Sequence, residues 1–575
     1  MTERRRSSIV QVDREQDGVA RIQDSAMRRL SSINPGVVHE FEEAKAAAAG
    51  EHELTIRDAI RLYPKAIIFS IIFSTAVVME GYDLSLMGSF FGFPPFRNRY
   101  GTQDDPDGDG RLISAPWQSG IQNGVQVGSI IGLWANGIIS EKFGYRKTML
   151  GSLVLMIGFI FLPVFAQNIE TILAGAVLCG FPWGVFQTIT VTYASDVTPV
   201  VLRPYLTSYV NLCWVIGQFI AAGVLRGMLT RTDQWAYRIP FALQWIWPPL
   251  IFIGCILAPE SPWWLVRHGK MDEARKSLLK LTKVDSGVPF DVDKQIAMIK
   301  ATNDLEMAMS EGTNYWDCFK GIDLRRTEIT CMVWVTQAFC GSSLMGQSVQ
   351  FYEYAGLSSE NAFNFNLGQY AMGAVGTVLS WFLMPHLGRR ALYLYGLAVL
   401  FALLMVVGGM GVLGTARGPS LTAGTLLLLY TFIYDFTVGP VCYALVADIP
   451  STRLKIKTVV LARNLYNVGG IINNVIMPRM LLPTEWNWGA KSGFFWAGVC
   501  LLLWTYHYFR LPEPKGRTYG EMDVLFENKV SARKFRKTRV DQFAGHSTDL
   551  AYGGAGDSSS DNEKKATPAH VDAVH

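Results

Sequence analysis

Long apolar runs occupy most of the chain and are separated by shorter polar connections. A membrane-spanning helix needs about 20 mostly apolar residues, and six runs of this kind precede residue 260. They cover residues 66–90, 117–140, 149–167, 171–193, 205–228 and 240–258. Six more cover residues 326–352, 363–385, 391–413, 419–443, 457–480 and 491–511. The pattern predicts an all-α membrane protein with twelve spanning helices in two halves of six.

The polar stretches divide the chain into five parts. Residues 1–65 form a polar N-terminal tail that is expected to be largely disordered. Residues 66–258 form the first six-helix bundle, and residues 326–511 form the second. Between them, residues 259–325 are charged and rich in helix-forming side chains, which predicts a helical linker outside the membrane. Residues 512–575 form a C-terminal tail whose end has a composition typical of disorder.

Basic residues are concentrated in the connections on one side of the predicted bundle. They are Lys142, Arg146, Lys147, Arg389, Arg390, Arg453, Lys455 and Lys457. The positive-inside rule therefore predicts that both termini and the linker lie in the cytoplasm. The plasma membrane is the expected location, with the vacuolar membrane as the alternative. The net charge of +4 argues against a nucleic-acid partner, and the eight cysteines lack the spacing of metal ligands.

The connections of the two halves contain matching segments, as expected after duplication of a six-helix unit. The pairs are residues 196–203 with 448–455, Glu260 with Glu513, and residues 144–147 with 388–390. Carboxylates at these helix ends can pair with basic residues on neighbouring helices and hold the cytoplasmic face closed, although simple interfacial anchoring is also open. The predicted cytoplasmic gate comprises Glu141, Arg146, Asp196, Arg203, Glu260, Arg389, Asp448, Arg453 and Glu513.

The second apolar run carries glycines at a strict spacing of four residues. They are Gly120, Gly124, Gly128 and Gly132. A stripe of small residues on one helix face allows two helix backbones to approach closely, so it predicts a tight helix contact.

Three connection segments carry a resemblance to a known family. Residues 137–147, 259–265 and 512–518 resemble, in order and position, the signatures of the sugar porter family of the major facilitator superfamily. Trp263 stands where that family commonly has Arg, and Pro514 stands where it has Thr. The resemblance covers nearly all of residues 60–530 and implies a major facilitator fold that transports sugar by alternating access.

Finer details resemble the fungal α-glucoside, or maltose-type, permeases. The segments concerned are residues 79–83, 336–343 and 448–467. Hexose carriers of the family typically have two consecutive Gln residues in the seventh helix, whereas this chain has Gln337 followed by Ala338. The resemblance therefore implies symport of an α-glucoside with a proton as the coupling ion and no other cofactor.

Four acidic residues in or at the ends of apolar runs are candidates for proton coupling, because charged groups inside a membrane are costly and usually functional. Glu80 and Asp83 lie three positions apart and hence on one helix face, where two carboxylates repel each other and favour proton binding. An anchoring role for this pair near the helix end is the alternative. The other candidates are Glu353 and Asp435; the latter matches a family acid implied to couple the gate to occupancy.

Sugar recognition requires hydrogen-bonding groups for hydroxyls and aromatic faces for the C–H surface of the ring. The candidates are Asn211, Gln337, Ser343, Tyr443 and Asn467, on helices five, seven, ten and eleven. The resemblance places Asn211 at a family Gln position and Tyr443 at a Trp position of the hexose carriers. A single amide in a spanning helix can equally serve only to bond two helices together.

Other functions remain open alongside α-glucoside symport. The same fold could carry a hexose, a polyol or an organic acid, or the chain could be a sugar sensor that does not transport. An enzyme is not expected, because no nucleophile–base pair, metal cluster or phosphate-binding loop stands out. The expected partners are a small sugar and the lipid bilayer, with the protein acting as a monomer.

Overall fold

The structure is a computed structural model. It describes residues 54–104, 110–199, 201–283, 286–288, 290–310, 314–414, 417–451, 454–515, 517, 522, 525–526, 528–536 and 538. Arg453 of the predicted gate therefore lies outside the described residues.

The first half begins with a short helix that leads into the first span. Its helices are α1 Ile56–Leu62, α2 Pro64–Phe90, α3 Pro94–Tyr100, α4 Ala115–Phe143, α5 Tyr145–Phe159, α6 Phe161–Val164, α7 Ile169–Val197, α8 Arg203–Met228, α9 Trp235–Ala242 and α10 Trp247–Leu257. A 3-10 turn, Leu243–Ile246, joins α9 to α10 within the sixth span. Two short antiparallel strands, β1 Gln103–Asp104 and β2 Arg111–Leu112, lie between the first and second spans. The sequence pattern did not predict these strands because each is only two residues long.

The linker and the second half follow the same plan. The linker helices are α11 Pro262–Arg267, α12 Met271–Leu281 and α13 Val292–Ser310, followed by the 3-10 turn Tyr315–Phe319. The helices of the second half are α14 Gly321–Phe339, α15 Ser343–Gly346, α16 Ser348–Tyr354, α17 Ser359–Leu387, α18 Arg389–Val412, α19 Arg417–Phe436, α20 Val438–Asp448, α21 Lys455–Leu481 and α22 Ser492–Arg510. Two further 3-10 turns are Gly489–Lys491 and Ala532–Lys534.

Eight spans in the described part of the chain are long and apolar enough to cross a membrane by length and composition alone. The other four predicted spans are α4, the α14–α16 series, α21 and α22. The lower hydropathy of these four spans has visible causes. The helices α4 and α21 are rich in amide side chains, and α22 contains several Trp, Tyr and His residues. The seventh span is divided into three short helices. The helices thus occupy all twelve of the positions at which spans were predicted.

Two spans that the pattern predicted as continuous are broken. The seventh span stops after Phe339, and Gly341 has a φ of +106°, a conformation that favours glycine because it has no Cβ. The tenth span breaks at Thr437, three residues before Pro440. The proline ring supplies no N–H for the carbonyl of Phe436 and crowds it, which interrupts the helix. Both breaks pack against α18 of the same half, Gly341 beside Leu404 and Thr437 beside Gly396.

The glycine stripe of α4 packs against α7, as the spacing predicts for three of its four members. A Cβ on Gly128 or Gly132 would lie well inside van der Waals distance of a main-chain carbonyl of α7, and one on Gly124 would be 3.1 Å from Leu173. A Cβ on Gly120 would have no atom within 4 Å. Gly120 is therefore outside the tight contact.

This difference predicts opposite effects of two Gly→Ala substitutions on one helix. Gly128→Ala is expected to destabilise the protein by about 1–3 kcal/mol, because the new methyl group forces α4 and α7 apart. Gly120→Ala has free space and restricts the unfolded chain, so it is expected to be neutral or to stabilise by up to about 1 kcal/mol. Thermal unfolding of the purified variants compares the two. Equal melting temperatures would show that the close contact does not contribute to stability.

Candidate functional site

A cavity of about 210 Å³ lies between the two halves, near the middle of the bundle. Spans from both halves contribute to its wall, including α4 and α8 from the first and α14, α19 and α21 from the second. Five residues singled out from the sequence line it: Asn211, Gln337, Ser343, Asp435 and Tyr443. The structure therefore brings together most of the predicted binding residues and one predicted coupling acid.

The cavity wall contains more amide side chains than the sequence analysis selected. The additional amides are Gln122, Gln126, Gln218, Gln347, Asn473 and Asn474. Gln347 donates to Gln122 across the two halves at 3.4 Å, and Asn473 donates to the carbonyl of Ala338 at 2.7 Å. Among the described residues, Gln122 Nε2, Gln347 Oε1 and Asn473 Oδ1 have no hydrogen-bond partner. Donors and acceptors are thus both available to a ligand with many hydroxyl groups.

One predicted binding residue and one predicted acid are bonded to each other across the halves. Asn211 Nδ2 of α8 lies 3.4 Å from both Asp435 Oδ1 and Thr377 Oγ1. Asn211 and Asp435 are 6% and 4% exposed, so both are shielded from bulk water. Asp435 also lines the cavity. A ligand in the cavity can therefore contact Asp435 of the second half, which is bonded to Asn211 of the first.

Two predicted site residues lie away from the cavity wall. Asn467 of α21 is buried and does not line the cavity. Glu353, at the end of α16, lies 3.9 Å from Arg97 of α3 and accepts a hydrogen bond from Ser359 at 2.7 Å. This position puts Glu353 at the end of the bundle remote from the linker, between the two halves.

Glu80 is the start of a hydrogen-bonded chain that crosses from the first half to the second. Its side chain is only 1% exposed, and its Oε1 accepts a hydrogen bond from Gln187 Nε2 of α7. Gln187 Oε1 in turn accepts from Arg463 Nε of α21 at 3.0 Å. The buried carboxylate is therefore joined to a buried guanidinium of the other half through one amide.

Aromatic rings hold the guanidinium of Arg463 in place. Its central carbon lies 4.6 Å from the ring centroids of both Trp334 and Tyr466. Tyr443 packs edge-on against Trp334 at 5.1 Å. Cation–π attraction of this kind strengthens when the charge is shielded from water, as it is here with Arg463 only 8% exposed. Arg463 also lines the cavity, so the chain from Glu80 reaches the cavity wall.

Asp83 has a different partner from Glu80 although the two lie three positions apart. Asp83 Oδ1 accepts a hydrogen bond of 2.6 Å from Gln244 Nε2, in the 3-10 turn of the sixth span. Both of these residues belong to the first half. Of the two acids on α2, Glu80 is therefore the one connected to the second half.

Arg463, Gln187 and Gln244 are site residues that the sequence analysis did not select. Arg463 had a usable signal, because an arginine inside an apolar run is a functional candidate by default. The fourth span, α7, packs against α2 but contains no arginine that could pair with Glu80 or Asp83. The partner instead comes from the eleventh span, and no local sequence pattern indicates that pairing.

At the end of the bundle where the linker lies, the matching glutamates bind main-chain N–H groups. Glu260 accepts from the N–H groups of Tyr145 and Arg146 at 3.0 and 3.1 Å, at the start of α5. Glu513 accepts in the same way from Arg389 and Arg390 at 2.9 and 3.1 Å, at the start of α18. A carboxylate at a helix N-terminus satisfies unpaired N–H groups and interacts favourably with the helix dipole. Burial raises the pKa of the Glu260 carboxyl, and these N–H donors oppose that change.

Glycines with positive φ make this contact possible. Gly144 and Gly388 precede the two helices with φ values of +89° and +85°. A Cβ on Gly388 would lie 2.6 Å from Glu513 Oε2, and one on Gly144 would collide with Glu260. Both the backbone conformation and the space therefore require glycine at these two positions.

The predicted gate arginines have partners that differ from one to the next. Arg146 donates from Nε to the carbonyl of Cys255 at 3.1 Å rather than to Glu260, because the main chain already occupies that carboxylate. Arg389 forms the expected type of pair, with its Nε 3.1 Å from Asp448 Oδ2. Arg203 donates to the carbonyl of Thr198 at 3.3 Å.

The remaining gate candidates contact the start of the linker. Asp196 Oδ2 accepts a hydrogen bond of 2.7 Å from Ser261, and the carbonyl of Glu141 accepts one of 3.0 Å from Trp264 Nε1. The Glu141 side chain itself is exposed. The contacts described for the gate candidates therefore lie within one half, or join one half to the linker or tail that follows it. None of these described contacts joins the two halves to each other.

Similar proteins are found both by sequence and by structure. A sequence model described as "Sugar (and other) transporter" matches residues 69–526. The maltose permease MAL61 of Saccharomyces cerevisiae is 42% identical over 512 residues, which cover 88% of this chain and 82% of that permease. The alpha-glucosides permease MPH3 of the same yeast is 41% identical over 539 residues, covering 91% of this chain and 88% of that one.

Among solved structures, the xylose transporter XylE from E. coli has the same fold. Its partially occluded inward-open form matches with a TM-score of 0.63 at 18% identity, over 79% of this chain and 99% of XylE. A second structure, of the major facilitator superfamily proton:xylose symporter XylE bound to 6-bromo-6-deoxy-D-glucose, matches with a TM-score of 0.66 at 18% identity, over 80% and 99%. The prediction of a twelve-helix major facilitator fold is confirmed.

Proposed function

Because this chain belongs to the sugar (and other) transporter family, we propose that it carries a sugar across a membrane together with a proton. The sugar is an α-glucoside such as maltose, and one central site opens alternately to the two sides. The observation that carries the proposal is the amide-rich cavity between the halves, reached by a hydrogen-bonded chain from Glu80. The relatives are permeases by name, and no chemical conversion of the sugar is proposed.

The cavity supports sugar binding through both kinds of contact that a sugar needs. Amides from both halves offer donors and acceptors for hydroxyl groups, and Tyr434, Tyr443 and Tyr466 offer aromatic faces to the ring. Because the amides come from both halves, a bound sugar would hold the halves together. Ligand-dependent closure around a central site is the basis of alternating access.

Two observations favour an α-glucoside over a plain hexose. Both yeast relatives are permeases for maltose or α-glucosides by name, at 41–42% identity. Ala338 stands where hexose carriers have a second amide, so the seventh span leaves more room in the cavity wall.

The proposed proton site is Glu80. Its negative charge is linked through Gln187 to the positive charge of Arg463 in the other half. Protonation would neutralise the carboxylate and weaken this attraction between the halves. Since Arg463 also lines the cavity, sugar and proton would act on the same guanidinium, which supplies the differential interaction that coupling requires.

The orientation, the membrane and the oligomeric state are part of the same proposal. The basic connections at the linker end support a cytoplasmic location of both termini and the linker. Uptake of an external sugar would place the protein in the plasma membrane. Action as a monomer is proposed because the two halves of one chain both contribute residues to the cavity wall.

Uptake of labelled maltose, in cells that lack their own sugar permeases, tests the proposal. We expect uptake that a protonophore abolishes, and we expect unlabelled α-glucosides to compete at least tenfold more effectively than glucose. Cells with an empty vector are the control. Preference for glucose or a polyol would contradict the α-glucoside assignment, and maltose binding to the purified protein without any uptake would indicate a sensor.

A further inference from the structure

A basic segment of the C-terminal tail lies against the last span. Residues 529–539 contain six Lys and Arg residues and no Asp or Glu. Within the described part of this segment, Ala532 and Phe535 are buried. The exposed side chains around them include four cations: Lys529, Arg533, Lys534 and Arg536. The segment therefore directs its apolar side chains towards the protein and its positive charges outwards.

Contacts with the start of α14 hold this segment in place. The rings of Phe526 and Phe535 pack at 5.1 Å, and the guanidinium of Arg326 lies 4.5 Å from the centroid of Phe526. Arg325 donates to the carbonyl of Val530 at 3.2 Å. The basic segment is thus held on the body of the protein at the linker end of the second half.

Two aromatic residues place the segment at the depth of the lipid headgroups. The guanidinium carbon of Arg533 lies 5.9 Å from the ring centroid of Tyr508 and 5.6 Å from that of Phe509. These rings occupy the last turn of α22 and are 38% and 55% exposed. Exposed aromatic residues at the end of a span are typical of the membrane–water interface. The cations beside them consequently lie within reach of lipid phosphates.

The charges of this segment are available to a ligand. Among the described residues, no carboxylate forms an ion pair with Arg533, Lys534 or Arg536. Clusters of four to eight Lys and Arg residues beside a span are attracted to anionic lipids. Arg binds phosphate oxygens through paired N–H donors, and Lys binds them as a point charge.

We propose that Lys529, Arg533, Lys534 and Arg536, together called the basic tail surface, bind the phosphate-bearing headgroups of anionic lipids. The lipids are those of the leaflet that faces the linker. Arg325 and Arg326 connect this surface to α14, whose Gln337 lines the cavity. A lipid bound there would hold the tail and the second half to the membrane surface.

Binding of a fluorescent short-chain phosphatidylinositol bisphosphate to the purified full-length protein tests the proposal. Fluorescence anisotropy gives the dissociation constant. The test variant is R533Q/K534Q/R536Q, which keeps the buried Ala532 and Phe535. Each cation near an anionic lipid surface contributes about 1 kcal/mol of binding free energy, so the loss of three is expected to weaken binding roughly 100-fold. The charge-matched control is R57Q/R61Q/K65Q, which changes three exposed cations at the start of the described chain and is expected to bind within about threefold of the unchanged protein.

Each other outcome overturns the proposal. Equal binding by the test variant and the unchanged protein would exclude the basic tail surface. Equal loss in both triple variants would show only a general effect of net charge. Inorganic phosphate and unlabelled lipid are also compared as competitors of the fluorescent lipid. If both displace it at the same concentration, the surface is a site for free anions and not for lipids. If the triple variant unfolds without lipid, the single change K534E replaces it, with at least tenfold weaker binding expected.

Discussion

Replacement of Glu80 by Gln is expected to abolish accumulation of sugar against its gradient while sugar exchange across the membrane continues. Gln has nearly the same shape and still accepts the hydrogen bond from Gln187, but it cannot bind and release a proton. A membrane potential of 100 mV supplies about 2.3 kcal/mol for each charge that crosses, which corresponds to roughly 50-fold accumulation. The variant should lose this accumulation, so that the internal and external sugar concentrations become equal.

Steady-state accumulation of labelled maltose, measured with and without a protonophore, checks this expectation, and counterflow of unlabelled sugar measures exchange. Asp83→Asn is expected to lose accumulation in the same way, because Asp83 is the second buried acid of α2. Asp233→Asn is the control, since Asp233 lies in an exposed pair with Arg231. Protonophore-sensitive accumulation in both the Glu80 and Asp83 variants would contradict coupling at α2. Asp435 would then be the next site to change.

Replacement of Arg463 by Gln is expected to reduce the rate of sugar transport at least tenfold, and replacement of Glu80 together with Arg463 is expected to recover part of it. The single change leaves Glu80 buried without its linked positive charge, which is costly in a medium of low polarity. The double change E80Q/R463Q removes both charges. Their effects should therefore not add, with an interaction of about 0.5–3 kcal/mol.

Counterflow rates of the four proteins in this cycle, corrected for the amount at the cell surface, give the interaction. Arg479→Gln is the matched control on the same helix, because the Arg479 side chain donates to the carbonyl of Val475 one turn away and does not line the cavity. We expect that change to be close to neutral. Additive effects of Glu80 and Arg463 would show that the chain through Gln187 does not join the two charges.

Most of the fold could be predicted from the sequence because hydropathy is a local property. A run of about 20 apolar residues has few stable alternatives to a spanning helix once the chain is in a membrane. The breaks in the seventh and tenth spans could not be predicted in this way. Gly341 and Thr437 pack against Leu404 and Gly396 of α18, and such contacts between residues distant in the chain are not visible in a local pattern.

The candidate site was less predictable than the fold. Asn211, Gln337 and Tyr443 could be selected because polar and aromatic groups in spans are few, and all three line the cavity. Arg463 was missed because its link to Glu80 joins residues far apart in the chain. The partners of Glu260 and Glu513 could not be foreseen, because every residue except proline has a main-chain N–H and none is marked in the sequence.

The binding of Glu260 and Glu513 to main-chain N–H groups has a mechanical consequence. Glu260, at the start of the linker, binds α5 of the first half, and Glu513, at the start of the C-terminal tail, binds α18 of the second. A rocking motion that separated the halves at this end would stretch neither contact. Each half would then rotate as a rigid body. The resistance to separation would come from the hydrogen bonds between the halves, such as those from Asn211 to Asp435 and from Arg463 to Gln187.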